Sequence, residues 1–504
     1  MNLLIKMYAR YFLLTFLITV LFSCAKKRTD DIILAKIGDK TISKKDFLER
    51  TELTVRPNFT AQNDEQYKKT LLNNLIIEKL FAKEAGNDNA LLKSESFRSH
   101  IRGIKEQAMR EQLFYREAFN KVDPDTNELK RRYALSSREY ALQFYSIHND
   151  ELAKKIDAEF KARPGSIDNL FNSLGGGEKI PMKQVKWKDP DPIPVHEALY
   201  TQPLLQGTII GPIKIESDNW IVMRVVDWRT VPVIGMDAEQ RWNEVREKTK
   251  MHQAQAEWTD YMANVMKGKQ IEFKKQAFDK LADMFLEILR AKNPEDKKEI
   301  AAEFLTVEDK DFTLDNIEDK DAFLDQPFFT IDDQEWTVRD FRKELLTHPL
   351  VYRKYDLSKR GFRKQFRYAI GDLVRDFYLT KEAYKKSLDS HPKVVRTEQM
   401  WRDSFVAIDF RNKILKQAAQ EVKADSIGRT LAMNKYFDDF ISSLQHKYDN
   451  EIEIDLDGIA ELKITRVNLF AVQQNVPYPV VVPSFPILTS QYQISYGRTQ
   501  RKAK

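Results

Sequence analysis

Seven histidines (His100, His148, His196, His252, His348, His391 and His446) are the first residues to weigh for chemistry. Imidazole titrates near neutrality and is the commonest metal ligand. They are dispersed, with no H-x-x-x-H pair and no Cys/His cluster, so their spacing predicts no metal centre. His196 falls on a short amphipathic segment and reads as solvated rather than catalytic. Gly175-Gly176-Gly177 lacks the Lys-Ser/Thr of a phosphate loop and reads as a flexible turn. The chain has no Walker A sequence, G-x-S-x-G elbow or dinucleotide fingerprint, so no cofactor is expected. The acidic run from Glu308 to Asp333 lacks EF-hand order and reads as a solvated loop rather than a calcium site.

The single thiol is Cys24. Lys6 and Arg10 precede an apolar core from Tyr11 to Phe22, and Leu21-Phe22-Ser23-Cys24 closes it. That core is short for a spanning helix and has the layout of an export signal. A small residue followed by Cys is similar to a bacterial lipobox, which makes Cys24 the lipidated first residue after removal of residues 1–23. With one cysteine the chain forms no internal disulfide, so its stability must come from packing.

The elements that position everything else are mostly helical. At 504 residues with 42% apolar and 31% charged content, the chain has room for about three domains. Its net charge of +6 comes without a dense basic block beside an aromatic platform, which argues against nucleic acid as a partner. Ile33 to Ile37 alternates as a strand and turns at Gly38-Asp39. Ser43-Lys44-Lys45-Asp46 then forms a capping box and starts a helix. Leu72, Leu75, Ile76 and Leu80 share one face of the next helix. A compact mixed module follows over residues 138–230. Its end reads as a short helix at Val195 to Tyr200, a turn at Gly207, then strands around Gly211-Pro212-Ile213 and Trp220 to Val225. A long helix from Asp237 ends at Gly268, and Ile271-Glu272-Phe273 reads as a terminal strand.

Part of the chain then repeats. Phe328 to Asp333 followed by Thr337-Val338-Arg339-Asp340-Phe341 copies the order of strand, turn, capping box and Phe found at Asp39 to Phe47. A helix with Phe366, Ile370, Leu373, Val374 and Phe377 follows, and Ile452-Glu453-Ile454 echoes Ile271-Glu272-Phe273. The tail contains Pro477, Pro479, Pro483 and Pro486, which favour extended chain, and reads as disordered.

This order of elements resembles the SurA/PrsA-type periplasmic chaperones, whose central module is a parvulin peptidyl-prolyl isomerase domain. Val195 to Val225 follows the parvulin order most specifically, and Val185-Lys186-Trp187 is similar to its Leu-Gly-Trp segment. The resemblance implies an α+β fold, mostly helical, with two SurA-N-like helical domains and the parvulin-like module inserted in the first. The expected divisions are 24–137 and 231–274 as the two parts of the first helical domain, 138–230 as the module and 275–326 as a helical and acidic linker. Residues 327–460 would form the second helical domain, and 461–504 a proline-rich and basic tail. Parvulins place histidines on the first and last strands of the module. Here Gln143 and Trp220 occupy those positions. Val195 stands where the family has a groove-lining aromatic, Ser217 alone matches cleanly, and Asp168 is the nearest polar residue ahead of the glycines. Gln143, Val195, Ser217 and Trp220 are therefore the candidate peptide-binding residues, with no catalytic histidine among them.

The function this implies is an outer-membrane, lipid-anchored chaperone facing the periplasm that binds unfolded outer-membrane or secreted clients. Prolyl isomerase activity is expected to be weak or absent. An active isomerase and an accessory subunit of an outer-membrane assembly or secretion complex are the alternatives.

Overall fold

Gly38, at φ +59°, turns β1 (Ile33–Ile37) into β2 (Lys40–Ser43) where a Cβ would meet the Glu451 carboxylate at 2.9 Å. The computed structural model describes residues 32–54, 56–164, 167–174, 180–216, 219–232, 235–291, 319–348, 350, 352, 358–421, 426–464 and 485–500. Cys24 and the signal segment, Gly175-Gly176-Gly177, Ser217 and most of the acidic run lie outside the described residues.

After the hairpin, the Ser43–Asp46 capping box opens α1 (Lys44–Glu52), with Asp46 N donating to Ser43 Oγ at 3.1 Å and Ser43 N to Asp46 Oδ2 at 2.9 Å. Then come α2 (Asp64–Ala85), α3 (Glu95–Glu117) and α4 (Thr126–Leu135). The central module is β3 (Arg138–Ile147), α5 (Asp150–Ala162), α6 (Ile167–Ser173), β4 (Met182–Val185), α7 (Ile193–Tyr200), β5 (Ile209–Glu216) and β6 (Asn219–Thr230). Its antiparallel sheet has the order β4-β3-β6-β5. The chain continues through α8 (Met236–Val265), β7 (Glu272–Phe273) and α9 (Lys275–Ala291) to a second hairpin of β8 (Pro327–Ile331) and β9 (Gln334–Thr337). Asp332 and Asp333, both at positive φ, turn that hairpin, and a Thr337–Asp340 capping box opens α10 (Val338–Leu345). Helices α11 (Lys359–Lys385), α12 (Pro392–Glu421) and α13 (Ser426–Lys447) lead to β10 (Ile452–Asp455), and β11 (Arg498–Gln500) comes last. The fold is α+β and mostly helical, as expected. None of the described helices is long and apolar enough to cross a membrane.

The chain divides into two compact units. One holds residues up to Arg98 together with Glu398–Ala471 and Val482–Lys504; the other holds Ser99–Thr397. This corrects the expected divisions. The strand after α8 does not return to the first hairpin: β7 pairs antiparallel with β8 (Phe273 opposite Phe329), and β1 pairs with β10 (Ala35 opposite Ile454). Residues 231–274 therefore close the second hairpin's unit. Residues 24–137 and 327–460 are each split between the units. The reason is pairing: each hairpin takes its third strand from the later part of the chain or from the segment just before it, and that strand carries its helices with it.

Two further expectations change. Helix α9, within the expected linker, buries Phe278, Leu281, Phe285 and Leu289 against Phe328, Phe341 and Phe366. The described part of the tail is ordered, because β11 lies parallel to β10 with Ile454 opposite Thr499. The face predicted on α2 is in place: Leu72, Leu75, Ile76 and Leu80 join Leu34, Ile37, Phe47, Ile452 and Ile454 in one core.

Candidate functional site

Alternate positions along β3 and β6 face opposite sides of the module's sheet. On one side Gln143 stands opposite Arg224, Tyr145 opposite Val222 and Ile147 opposite Trp220. Helices α5 and α6 cover this side with Ala153, Ile156, Phe160 and Phe171. On the other side Leu142, Met223 and Val225 pack with Val195, Leu199 and Tyr200 of α7. The structure therefore brings Gln143 and Trp220 to one side of the sheet and buries Val195 on the other. The three described candidates do not line a single groove through that sheet.

Both candidates on this side, Gln143 and Trp220, have hydrogen-bond partners. Gln143 Oε1 accepts from Arg224 Nε at 3.0 Å and from Arg224 Nη2. Arg224 Nη1 donates to Asn172 Oδ1 at 3.0 Å, its guanidinium lies 4.7 Å from the Phe171 ring centre, and Asp168 Oδ1 is 3.6 Å away. Asp168 thus reaches Gln143 only through Arg224. Trp220 Nε1 donates to Asp150 Oδ1 at 2.6 Å, at the first residue of α5. That hydrogen bond, helped by Lys214, holds the Asp150 carboxyl below its usual range. Arg224 was not singled out by sequence. The available signal was a lone cation inside the apolar run Ile221 to Val225.

A second polar cluster lies where α4, α7 and α8 meet, and it corrects the reading of His196. That residue is 1% exposed, enclosed by the rings of Trp187 at 4.4 Å, Tyr200 at 4.8 Å and His252 at 5.1 Å between centroids. Proline at the start of α7 and the apolar Val195, Leu199 and Tyr200 set this helix against the sheet, which turns His196 inward. Burial, with Lys248 and His252 nearby, pushes its imidazole down to about 2, so it stays neutral. Among the described residues neither ring nitrogen has a hydrogen-bond partner.

The neighbouring Glu197 is the hub. Arg132 grips its carboxylate with two bonds, Nη1 to Oε1 at 2.8 Å and Nη2 to Oε2 at 2.6 Å, while His252 Nδ1 meets Oε1 and Thr201 Oγ1 reaches Oε2 at 3.1 Å. Burial pushes the Glu197 carboxyl up, but the bonds from His252 and Arg132 outweigh it and hold it well below the carboxylate range. Arg132 Nε also donates to Glu128 Oε1 at 2.7 Å. Lys248 donates to Trp187 O at 2.8 Å, and burial lowers its ammonium to about 8 against the pull of Asp191, Asp189, Glu197 and Glu244.

Dispersed in sequence, His196 and His252 thus meet in space, and with Glu197 they offer three ligand atoms within 4.8 Å of one another. The arrangement fits a clasp better than a metal centre. Both Glu197 oxygens already carry strong donors, and two cations, Arg132 and Lys248, stand against the position an ion would take. Chemically it ties three helices together, and the uncommitted ring nitrogens of His196 are sealed from solvent.

No protein-family model matches the chain, and no curated protein matches it.

Proposed function

We propose that the chain is a chaperone lipoprotein, anchored through Cys24 at the outer membrane and facing the periplasm. Its helical units hold unfolded outer-membrane or secreted clients, and the central module serves as architecture and binding surface with weak or no prolyl isomerase activity. The observation that carries the last point is the engagement of Gln143 by Arg224. Rotation about an X-Pro bond faces a barrier of about 20 kcal/mol. An isomerase must bind the twisted amide better than either planar form. Gln143 has its acceptor committed, and Trp220, the other position of interest, has its only donor on Asp150. Apolar side chains exposed on the module, among them Leu205, Met182 and Leu152, supply contact surface for extended chain.

The experiment is suppression of client aggregation by the purified protein lacking residues 1–24, beside a protease-coupled prolyl-peptide assay. The expected result is suppression near equimolar ratio with an isomerisation rate equal to buffer. No suppression sinks the chaperone reading, and a rate well above buffer restores the isomerase. Stoichiometric co-purification with a fixed set of membrane partners, without any effect on free clients, would favour an accessory subunit instead.

A further inference from the structure

Asn73 and Asn74 are buried side by side in an otherwise apolar turn of α2, Leu71-Leu72-Asn73-Asn74-Leu75-Ile76. Two adjacent buried amides cost free energy unless their donors and acceptors are met. Gln445 Nε2 donates to Asn73 Oδ1 at 3.0 Å and Asn74 Nδ2 donates to Thr70 O at 2.8 Å, and the backbone of the chain's own residues 485–500 meets both amides as well. Asn74 Oδ1 accepts from Leu488 N at 2.5 Å and from Thr489 N at 3.0 Å, and Asn74 Nδ2 donates to Thr489 O at 2.8 Å. Asn73 Nδ2 donates to Gln491 O at 3.0 Å. These contacts read main chain, so they are indifferent to sequence.

Three side chains of the segment supply the anchors. Phe485 lies against Trp401 with ring centres 4.0 Å apart and under the Arg50 guanidinium at 3.6 Å, and its N–H donates to Leu53 O at 2.9 Å. Arg50 is fixed there by a buried ion pair with Glu78. Leu488 enters the core formed by Ile77, Phe81, Phe437 and Ile441. Tyr496 is buried and donates to Asn73 Oδ1 at 2.5 Å. Beyond it β11 adds to the edge of β10, the usual way an extended peptide joins a sheet.

From this we infer that the groove along α2 is a binding site for extended polypeptide, which the chain's own residues 485–500 occupy until a client replaces them. Its ligand is an unfolded segment with an aromatic residue, an aliphatic one three places on, and a second aromatic eight places after that, in strand conformation. The inference rests on the chaperone reading above and places the client contact on one named helix.

The test uses the protein with a protease recognition sequence inserted between Ile464 and Phe485, cut after folding. A fluorescent synthetic peptide of residues 485–500 is then added and its anisotropy followed. The cut protein is expected to take up the peptide at least about tenfold more tightly than the uncut protein, because intramolecular competition has been removed. An unrelated peptide keeping Phe, Leu and Tyr at the same spacing should displace it, and one carrying Asp at those three positions should not. Excess 485–500 peptide should also abolish suppression of client aggregation. If peptide binds but suppression is unaffected, the groove is not the client site and this inference falls while the chaperone reading stands. If suppression is absent throughout, the chaperone reading itself fails.

A second measurement needs no cleavage. In the intact protein the amides of Leu488 and Thr489 should exchange hydrogen at least about tenfold faster than those of β1, through local opening of the segment. Equal protection, or unfolding of the protein on cleavage, would make residues 485–500 a fixed part of the core and overturn the inference.

Discussion

A neutral imidazole sealed among three aromatic rings links stability to pH. His196 titrates near 6.5 in an unfolded chain, and in the folded protein it stays neutral down to about 2. Between those values the unfolded chain carries the additional proton. Its contribution is therefore full above pH 6.5 and is lost as pH falls, by up to about 1.4 kcal/mol per pH unit. Glu197 acts in the same direction at lower pH: its folded carboxyl is held below the ordinary carboxylate range, so its stabilisation is present above that range and lost in acid. Phenylalanine keeps the ring volume at position 196 and removes the titration. Urea unfolding at pH 7 and pH 5.5 should show the unmodified protein losing about 1 kcal/mol more than His196→Phe between the two. Equal losses would assign the acid sensitivity to other groups. The polar character of this position is plain in the sequence. Its burial is not, because only the packing of α7 against the sheet and α8 decides which way residue 196 faces.

Among the elements, the two hairpins with their capping boxes were the most legible. Ser43–Asp46 and Thr337–Asp340 sit where the pattern placed them, since a cap is decided by four consecutive residues. The two boxes also lie in different units, which makes them separate probes. Ser43→Ala and Thr337→Ala should each lower stability by about 1 kcal/mol. In a calorimetric scan each should move only the transition of its own unit; a shift of both transitions by either substitution would show that the units unfold together. What could not be read was which third strand each hairpin receives. Ile271-Glu272-Phe273 and Ile452-Glu453-Ile454 have the same alternation and nearly the same length. Strands of two to four residues carry no register information, so the choice falls to the helices beside them. Residues 485–500 of the tail depart from the expected disorder for a related reason. The tail's prolines are visible in the sequence, whereas the buried Asn73 and Asn74 that hold residues 488–491 gain their meaning only once α2 is packed.

Among the described residues, one unit is a single stretch, Ser99–Thr397, and the other is assembled from distant stretches of chain. Residues 99–397 contain the module, the second hairpin and every strand paired with either. Expressed alone, that fragment should unfold cooperatively with its near-ultraviolet circular dichroism intact. A fragment of residues 32–98 should not, for it lacks the strand that pairs with β1 and the helices that cover α2. A cooperative transition from the short fragment would contradict this division.

The pairing of β1 with β10 also sets a clock. About 400 residues separate the first hairpin from its third strand, and synthesis at 5–20 residues per second takes roughly 20–80 s to cover them. Throughout that interval β1 presents an open edge, the kind of surface that pairs with whatever strand arrives first. The partner of β1 is therefore made hundreds of residues after it, and a ribosome that stalls before Ile452 releases a chain whose β1 edge is still free to aggregate.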